Sequence, residues 1–149
     1  MIKIIKNKFV SVALMAVFFL TSQNVLSYDV QGESFPANFN MTSWTAGNGE
    51  STITSEGVIE EEGYEKIYLT HHFTVSTDDG KSGEFTGQVR SISSDGELQS
   101  GSLQGSWARD GKIVTMYSFD TINNGVINHA QGTIDLIAGT LKFKVFPVN

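Results

Sequence analysis

Cysteine is absent from this chain of 149 residues. Disulfide bonds, thiolate catalysis and thiolate metal sites are therefore excluded, and a secreted domain without cysteine must rely on packing alone. Basic residues are also scarce, with ten Lys and Arg against sixteen Asp and Glu. This acidic balance argues against a nucleic-acid partner, because the phosphates of a nucleic acid would be repelled.

No apolar run near the N-terminus is long enough for a membrane span. The run Phe9–Leu20 covers twelve residues, whereas a transmembrane helix needs about 20. Three lysines precede the run, and Val25 and Ser27 stand three and one residues before a suitable cleavage point. The pattern predicts a secretory signal peptide over residues 1–27. An uncleaved membrane anchor is the alternative, which the short run disfavours.

Removal of the signal peptide leaves residues 28–149 as one domain with a single hydrophobic core. Seven basic and sixteen acidic side chains remain, which is a net charge of about −9. We expect the mature protein in the periplasm or outside the cell, without stable insertion into a membrane.

Glycine is abundant, and its spacing is the most informative feature of the chain. Seven turn dipeptides end in glycines that are 14 to 17 residues apart: Asn48-Gly49, Glu62-Gly63, Asp79-Gly80, Asp95-Gly96, Asp110-Gly111, Asn124-Gly125 and Ala138-Gly139. Asn-Gly and Asp-Gly favour tight hairpins, because both central residues of a type I′ turn need positive φ. Seven such turns divide the domain into eight strands, each followed by its antiparallel neighbour.

Apolar and polar residues alternate between the turns with the period of two that is typical of strands. One face of the third predicted strand carries Ile67, Leu69, His71, Phe73 and Val75. Four of the eight strands have one clearly apolar face and one clearly polar face. The second and sixth strands are blurred, and the first is irregular.

An eight-strand meander with one apolar face needs a packing partner, and no helical segment remains to cover it. The sheet can curl until its first and last strands pair. We therefore predict an all-β, single-domain, eight-stranded antiparallel up-and-down β-barrel. A two-sheet β-sandwich is the alternative, although it usually has longer crossing connections.

Closed barrels of this kind include calycin-like proteins, such as lipocalins and avidins, and allene-oxide-cyclase-like proteins. The predicted chain resembles them in architecture alone. Lipocalins begin their first strand with Gly-x-Trp, whereas this chain has Thr42-Ser43-Trp44. Avidins line their site with several tryptophans, and this chain contains two. We therefore assign no family.

The interior of the barrel is the candidate site, because eight strands enclose a space that side chains fill or leave open for one small ligand. The predicted ligand-binding walls are the large groups of the inward face: His71, Phe73, Phe85, Trp107 and Phe143. Glycines at mid-strand accompany them, at Gly57, Gly87, Gly105 and Gly132. Two interpretations of these glycines stay open: they leave room for a pocket, or they permit curvature while the aromatic groups fill the interior.

His71 is the most unusual residue of this set, since an ionisable group on an apolar face is either functional or a core histidine bonded to a neighbouring strand. His72 must point the other way and cannot share a metal ion with it. Pairing across the sixth hairpin could bring Asp120 close to His129 as a catalytic pair, but nothing in the sequence fixes the geometry of such a pair. We predict no catalytic residues, no metal site and no cofactor.

Three classes of function remain. The preferred one is a protein that binds a small, mostly apolar ligand inside the barrel. The second is a solid-cored interaction or inhibitor domain that acts through its loops. The third is a small outer-membrane barrel, which seven short turns and the terminal Val148-Asn149 disfavour. The expected partner is thus a small apolar ligand or a protein, and an enzyme ranks below all three classes.

Overall fold

The barrel is seen in a computed structural model that describes residues 32–59 and 64–148. Its strands are β1 Phe35–Ala46, β2 Glu50–Ile59, β3 Tyr64–Val75, β4 Ser82–Ser93, β5 Leu98–Asp110, β6 Ile113–Ile122, β7 Ile127–Asp135 and β8 Thr140–Val148. Each strand pairs antiparallel with the next, and β1 pairs with β8, which closes the sheet. The predicted up-and-down barrel is confirmed, and the β-sandwich alternative is wrong.

Two of the sequence-based predictions fall on other parts of the chain. The predicted signal peptide, residues 1–27, and the turn at Glu62-Gly63 lie outside the described residues. Within the described ranges, no helix has the length and apolarity that crossing a membrane requires.

The predicted turns occur at the expected places, but not with the expected geometry. Six of the turn glycines have positive φ: Gly49, Gly80, Gly96, Gly111, Gly125 and Gly139. No other residue type in the described chain has positive φ, whereas a type I′ turn needs it at both central positions. The prediction of type I′ turns is therefore wrong.

In the β6–β7 turn, the asparagine before the glycine explains the difference. Gly125 donates its N–H to the carbonyl of Ile122 (2.9 Å), which makes the glycine the last residue of a type I turn. Asn124 keeps negative φ, and its side-chain oxygen accepts the N–H of Val126 at 3.0 Å. The side chain thereby stabilises the turn without a left-handed backbone at its own position.

The apolar face of the sheet points into the barrel, as predicted. Trp107 is only 8% exposed, while Gln104 and Ser106 on the opposite face of β5 are exposed. The most deeply buried large side chains are Met116, Ile134 and Leu141, from β6, β7 and β8. The core therefore occupies the lumen.

The strands with poor alternation have identifiable reasons for it. The register of β1 against β2 shifts between Met41 and Ser43, and such a bulge turns the following side chains to new directions. Trp44, beyond the bulge, is 52% exposed. Strands β2 and β6 instead bury polar residues in the lumen, Ser55 and Ser118.

The mid-strand glycines are required by close contact between strands. A Cβ atom on Gly105 would collide with the carbonyl oxygen of Tyr117 on β6, and one on Gly87 with that of Thr70 on β3. Backbone atoms cannot move aside as a flexible side chain can. The geometry therefore favours curvature over the creation of pocket space as the role of these glycines.

Substitution of Gly105 tests this role. We expect Gly105→Ala to lower the free energy of unfolding by about 1–3 kcal/mol, because the added methyl group forces neighbouring backbone apart. Urea denaturation measures the change. Ser106→Ala, on the exposed face of the same strand, is the control and should change stability by about 0.5 kcal/mol or less. Equal midpoints for the two variants would contradict the interpretation.

Candidate functional site

The five predicted ligand-binding residues meet inside the barrel. The ring centroid of His71 lies 5.5 Å from that of Phe85 and 6.3 Å from that of Phe143. Phe73 continues the contact, at 5.7 Å from Phe85 and 6.1 Å from Trp107. These five side chains, from β3, β4, β5 and β8, form one packed group that we call the aromatic layer.

The aromatic layer lies between two cavities. The first, which we call the carboxylate chamber, has a volume of about 200 Å³, and His71 and Phe143 belong to its wall. The second, the tryptophan chamber, has a volume of about 230 Å³, and its wall includes Phe73 and Trp107. Phe85 lines neither of these two cavities. The predicted residues are therefore shared between two chambers instead of surrounding one.

The tryptophan chamber contains a polar group that the fold already uses. Trp107 donates its indole N–H to the carbonyl oxygens of Thr74 (3.0 Å) and Glu84 (3.2 Å). Gly83 pairs with Trp107 across β4 and β5, and a Cβ atom on Gly83 would collide with the carbonyl oxygen of Thr74, which accepts the indole N–H. Trp107 therefore ties three strands together, which is a structural role.

The carboxylate chamber has a mostly apolar wall and lies at the end of the barrel that carries the β6–β7 turn. Its apolar residues are Phe35, Ala37, Phe39, Ile59, Ile67, Leu69, Val89, Leu103, Ile122, Val126, Ala130, Phe143, Val145 and Pro147. Its polar residues are His71, Ser91, Gln99, Ser100, Ser118, Asp120, Asn124 and Asn128. Asn124, Val126 and Pro147 are exposed, so the chamber reaches solvent at this end.

His71 contributes an unused polar atom to the carboxylate chamber. The side chain is 3% exposed, and Nδ1 has no hydrogen-bond partner among the described residues. Burial lowers the pKa of His71 to about 4, and the charge of His72 lowers it as well. The imidazole is therefore neutral at neutral pH. His72 points outward as predicted, with Nδ1 3.0 Å from the hydroxyl of Thr52.

Asp120 also belongs to the wall of this chamber, although the sequence suggested it only as a catalytic partner of His129 and not as a ligand-binding residue. Its Oδ1 atom is buried and has no hydrogen-bond partner within the described part of the chain. Burial raises the pKa of Asp120 to about 6, and a hydrogen bond from the Ser118 hydroxyl partly opposes that rise. The chamber wall therefore carries a negative charge at neutral pH.

No basic side chain neutralises this charge in residues 32–59 and 64–148. The ion pairs found there are Lys66 with Glu56, Lys81 with Asp79, and Lys112 with Asp135. Asp120 as a whole is half-buried, but its Oδ1 atom is shielded from solvent. A shielded charge without a counter-ion is costly, so proteins rarely keep one without a use.

The strand register places His71 and Asp120, whose Nδ1 and Oδ1 atoms lack partners among the described residues, on different sides of the lumen. His71 pairs with Gly87, Gly87 with Leu103, and Leu103 with Asp120. The two residues thus share one row across the sheet and are three strands apart in a closed barrel of eight. With strands about 4.8 Å apart, a small molecule in the chamber can contact both walls.

The hypothesis that Asp120 and His129 form a catalytic pair is wrong. His129 pairs with Phe119, whereas Asp120 pairs with Asn128, so the two ionisable side chains lie on opposite faces of the sheet. His129 is 5% exposed and lies on the outer face, with ring centroids 5.0 Å from Phe119 and 6.0 Å from Phe146. No group of three or more His, Asp or Glu in the described ranges is placed to hold a metal ion.

No protein-family model, curated protein or solved structure matches this chain. The geometry of the barrel interior is therefore the basis for its functional interpretation.

The buried carboxyl of Asp120 should make stability depend on pH in a specific way. Its pKa is about 6 in the folded protein against an ordinary value of 3.8. Between pH 3.8 and pH 6, the folded state therefore binds a proton at Asp120 that the unfolded state has lost. The stabilisation of the folded state by this proton is fully present below pH 3.8 and is lost as the pH rises through 6. Asp120→Asn removes this titration, so the variant should gain about 1–3 kcal/mol over wild type between pH 4 and pH 7.5.

Urea denaturation at several pH values measures this difference. His71 has the opposite dependence, since its lowered pKa costs stability as the pH falls from 6.5 towards 4. Both proteins contain His71, so its contribution cancels in the comparison. Asp78→Asn, in an exposed loop, controls for the change of net charge. A difference between Asp120→Asn and wild type that does not change with pH would contradict the burial of a titrating carboxyl.

Proposed function

We propose that this protein binds a small, mostly apolar molecule that carries a polar group, and that it does so in the carboxylate chamber. The observation that carries the proposal is the combination of an apolar cavity of about 200 Å³ with two buried polar atoms in its wall, His71 Nδ1 and Asp120 Oδ1. Buried polar groups are nearly always hydrogen-bonded. A ligand that supplies the missing bonds accounts for both atoms.

The volume of the chamber limits the size of the ligand. An apolar cavity of about 150 Å³ is large enough for benzene, whereas pockets for drug-sized molecules have volumes of about 300–1,000 Å³. A chamber of about 200 Å³ therefore suits one ring with a short side chain, or an aliphatic molecule of similar size.

The aromatic layer supports this function in two ways. His71 and Phe143 belong to the chamber wall and are the members placed to contact the ligand. Phe73, Phe85 and Trp107 lie behind them and hold the wall in position, since packed rings resist displacement. The two chambers also favour ligand binding over the alternative of a solid-cored interaction domain. The location that we propose remains the periplasm or the outside of the cell, as the signal-peptide pattern predicts.

Filling the chamber should abolish binding. Ala130 is buried in the chamber wall, and Ala130→Leu adds three carbon atoms to that space. We expect wild type to bind indole, a small apolar probe, and the variant to bind it at least about tenfold more weakly, because the site is no longer empty. Saturation-transfer NMR with the purified mature protein measures the binding.

Ala108→Leu provides the matched control, since Ala108 is exposed on the outer face of β5. This variant should bind indole like wild type. Native mass spectrometry of protein purified from its own host complements the test, and an extra mass that is lost on denaturation would identify the carried molecule. Indole binding that survives Ala130→Leu, in a variant that is folded by circular dichroism, would show that the chamber is not the site.

A further inference from the structure

We propose that the ligand is a small amine, whose ammonium group pairs with the Asp120 carboxylate while its apolar body fills the rest of the carboxylate chamber. This inference rests on the proposed function and specifies the chemical class of the ligand.

The state of the Asp120 carboxylate is the first argument. One oxygen is unpartnered and buried, and the Ser118 hydroxyl is the donor that holds the carboxylate. A neutral donor from the ligand would satisfy the remaining oxygen but leave the charge uncompensated. An ammonium group supplies both a donor and a counter-charge, and hydrogen bonds between charged groups are the stronger ones.

The charges around Asp120 are the second argument. Its partners on the neighbouring strands, Leu103 on β5 and Asn128 on β7, are neutral. Among the described residues of the chamber wall, His71 on β3 is the other titratable group. Burial keeps that imidazole neutral at neutral pH. The chamber therefore presents one negative charge and no competing cation to a ligand.

The apolar wall is the third argument. On β1 and β8, the chamber offers Phe39 and Phe143, whose ring centroids are 6.3 Å apart in an edge-to-face contact. Such rings accept the hydrophobic body of a ligand and exclude a strongly hydrated one. The combination of one carboxylate with an apolar wall selects an arylalkyl or alkyl amine over an inorganic cation or a polyamine.

The proposal makes binding depend on pH. The carboxyl is charged only above its pKa of about 6, so the apparent affinity for the amine should fall about tenfold per pH unit well below that value. Protonation of His71 adds a further loss only near pH 4. The ammonium in turn lowers the pKa of Asp120, so binding near pH 6 should release protons.

A pair of probes with the same shape tests the charge requirement. 2-Phenylethylamine carries the ammonium, and 2-phenylethanol replaces it with a neutral hydroxyl. Isothermal titration calorimetry on the mature protein at pH 7.5 should show the amine binding at least about tenfold more tightly than the alcohol. In Asp120→Asn this preference should disappear while the alcohol still binds. Asp110→Asn, an exposed residue at the end of β5, should keep the preference.

The outcomes separate this inference from the proposed function. Equal affinities for the two probes, a preference that survives Asp120→Asn, or an amine that fails to bind where indole binds would each overturn the amine inference and leave the chamber as a binding site. If neither probe nor indole binds, the proposed function fails and the amine inference fails with it.

Discussion

Closure of the sheet is the constraint on which the rest of this structure depends. The pairing of β1 with β8 removes both sheet edges and turns one face of every strand into a common interior. Without cysteine, stability must come from packing in that interior. Strands that coil tightly enough to close need glycines where backbones approach, as at Gly87 and Gly105. The same closure limits how fully side chains can fill the lumen. The aromatic layer packs its middle, and a chamber lies to either side.

The two chambers differ in how they treat polar atoms, and this difference identifies the candidate site. In the tryptophan chamber, the indole N–H of Trp107 donates to two carbonyl oxygens, so this donor is already satisfied within the protein. In the carboxylate chamber, His71 and Asp120 bury atoms that no described residue satisfies. Such groups lower the stability of the unliganded fold. A ligand that satisfies them would recover that free energy.

Local patterns predicted the architecture well because turns and alternation are short-range properties. The spacing of glycines located every described turn, and the parity of β3 correctly separated His71 from the outward-facing His72. Prediction failed where local geometry has competing solutions. The type I′ assignment was wrong because Asn and Asp side chains stabilise a type I turn equally well, as Asn124 does. Asp120 was considered only as a partner of His129 and not as part of the barrel interior, because polar residues on the inner face of β6 blur the alternation of that strand. The parity it shares with Val114 and Met116 was the signal that places it inside.

The sequence by itself determined the eight strands, their antiparallel order and, in the strands with clear alternation, the face that is buried, because these follow from the spacing of turns and a period of two. Only the tertiary structure decided which side chains meet. The row that joins His71 to Asp120 depends on the register of three successive strand pairs. Whether a buried atom lacks a partner depends on neighbours from several strands at once. That information is not local, so the split of the aromatic residues between two chambers and the uncompensated charge of Asp120 emerge only when the barrel closes.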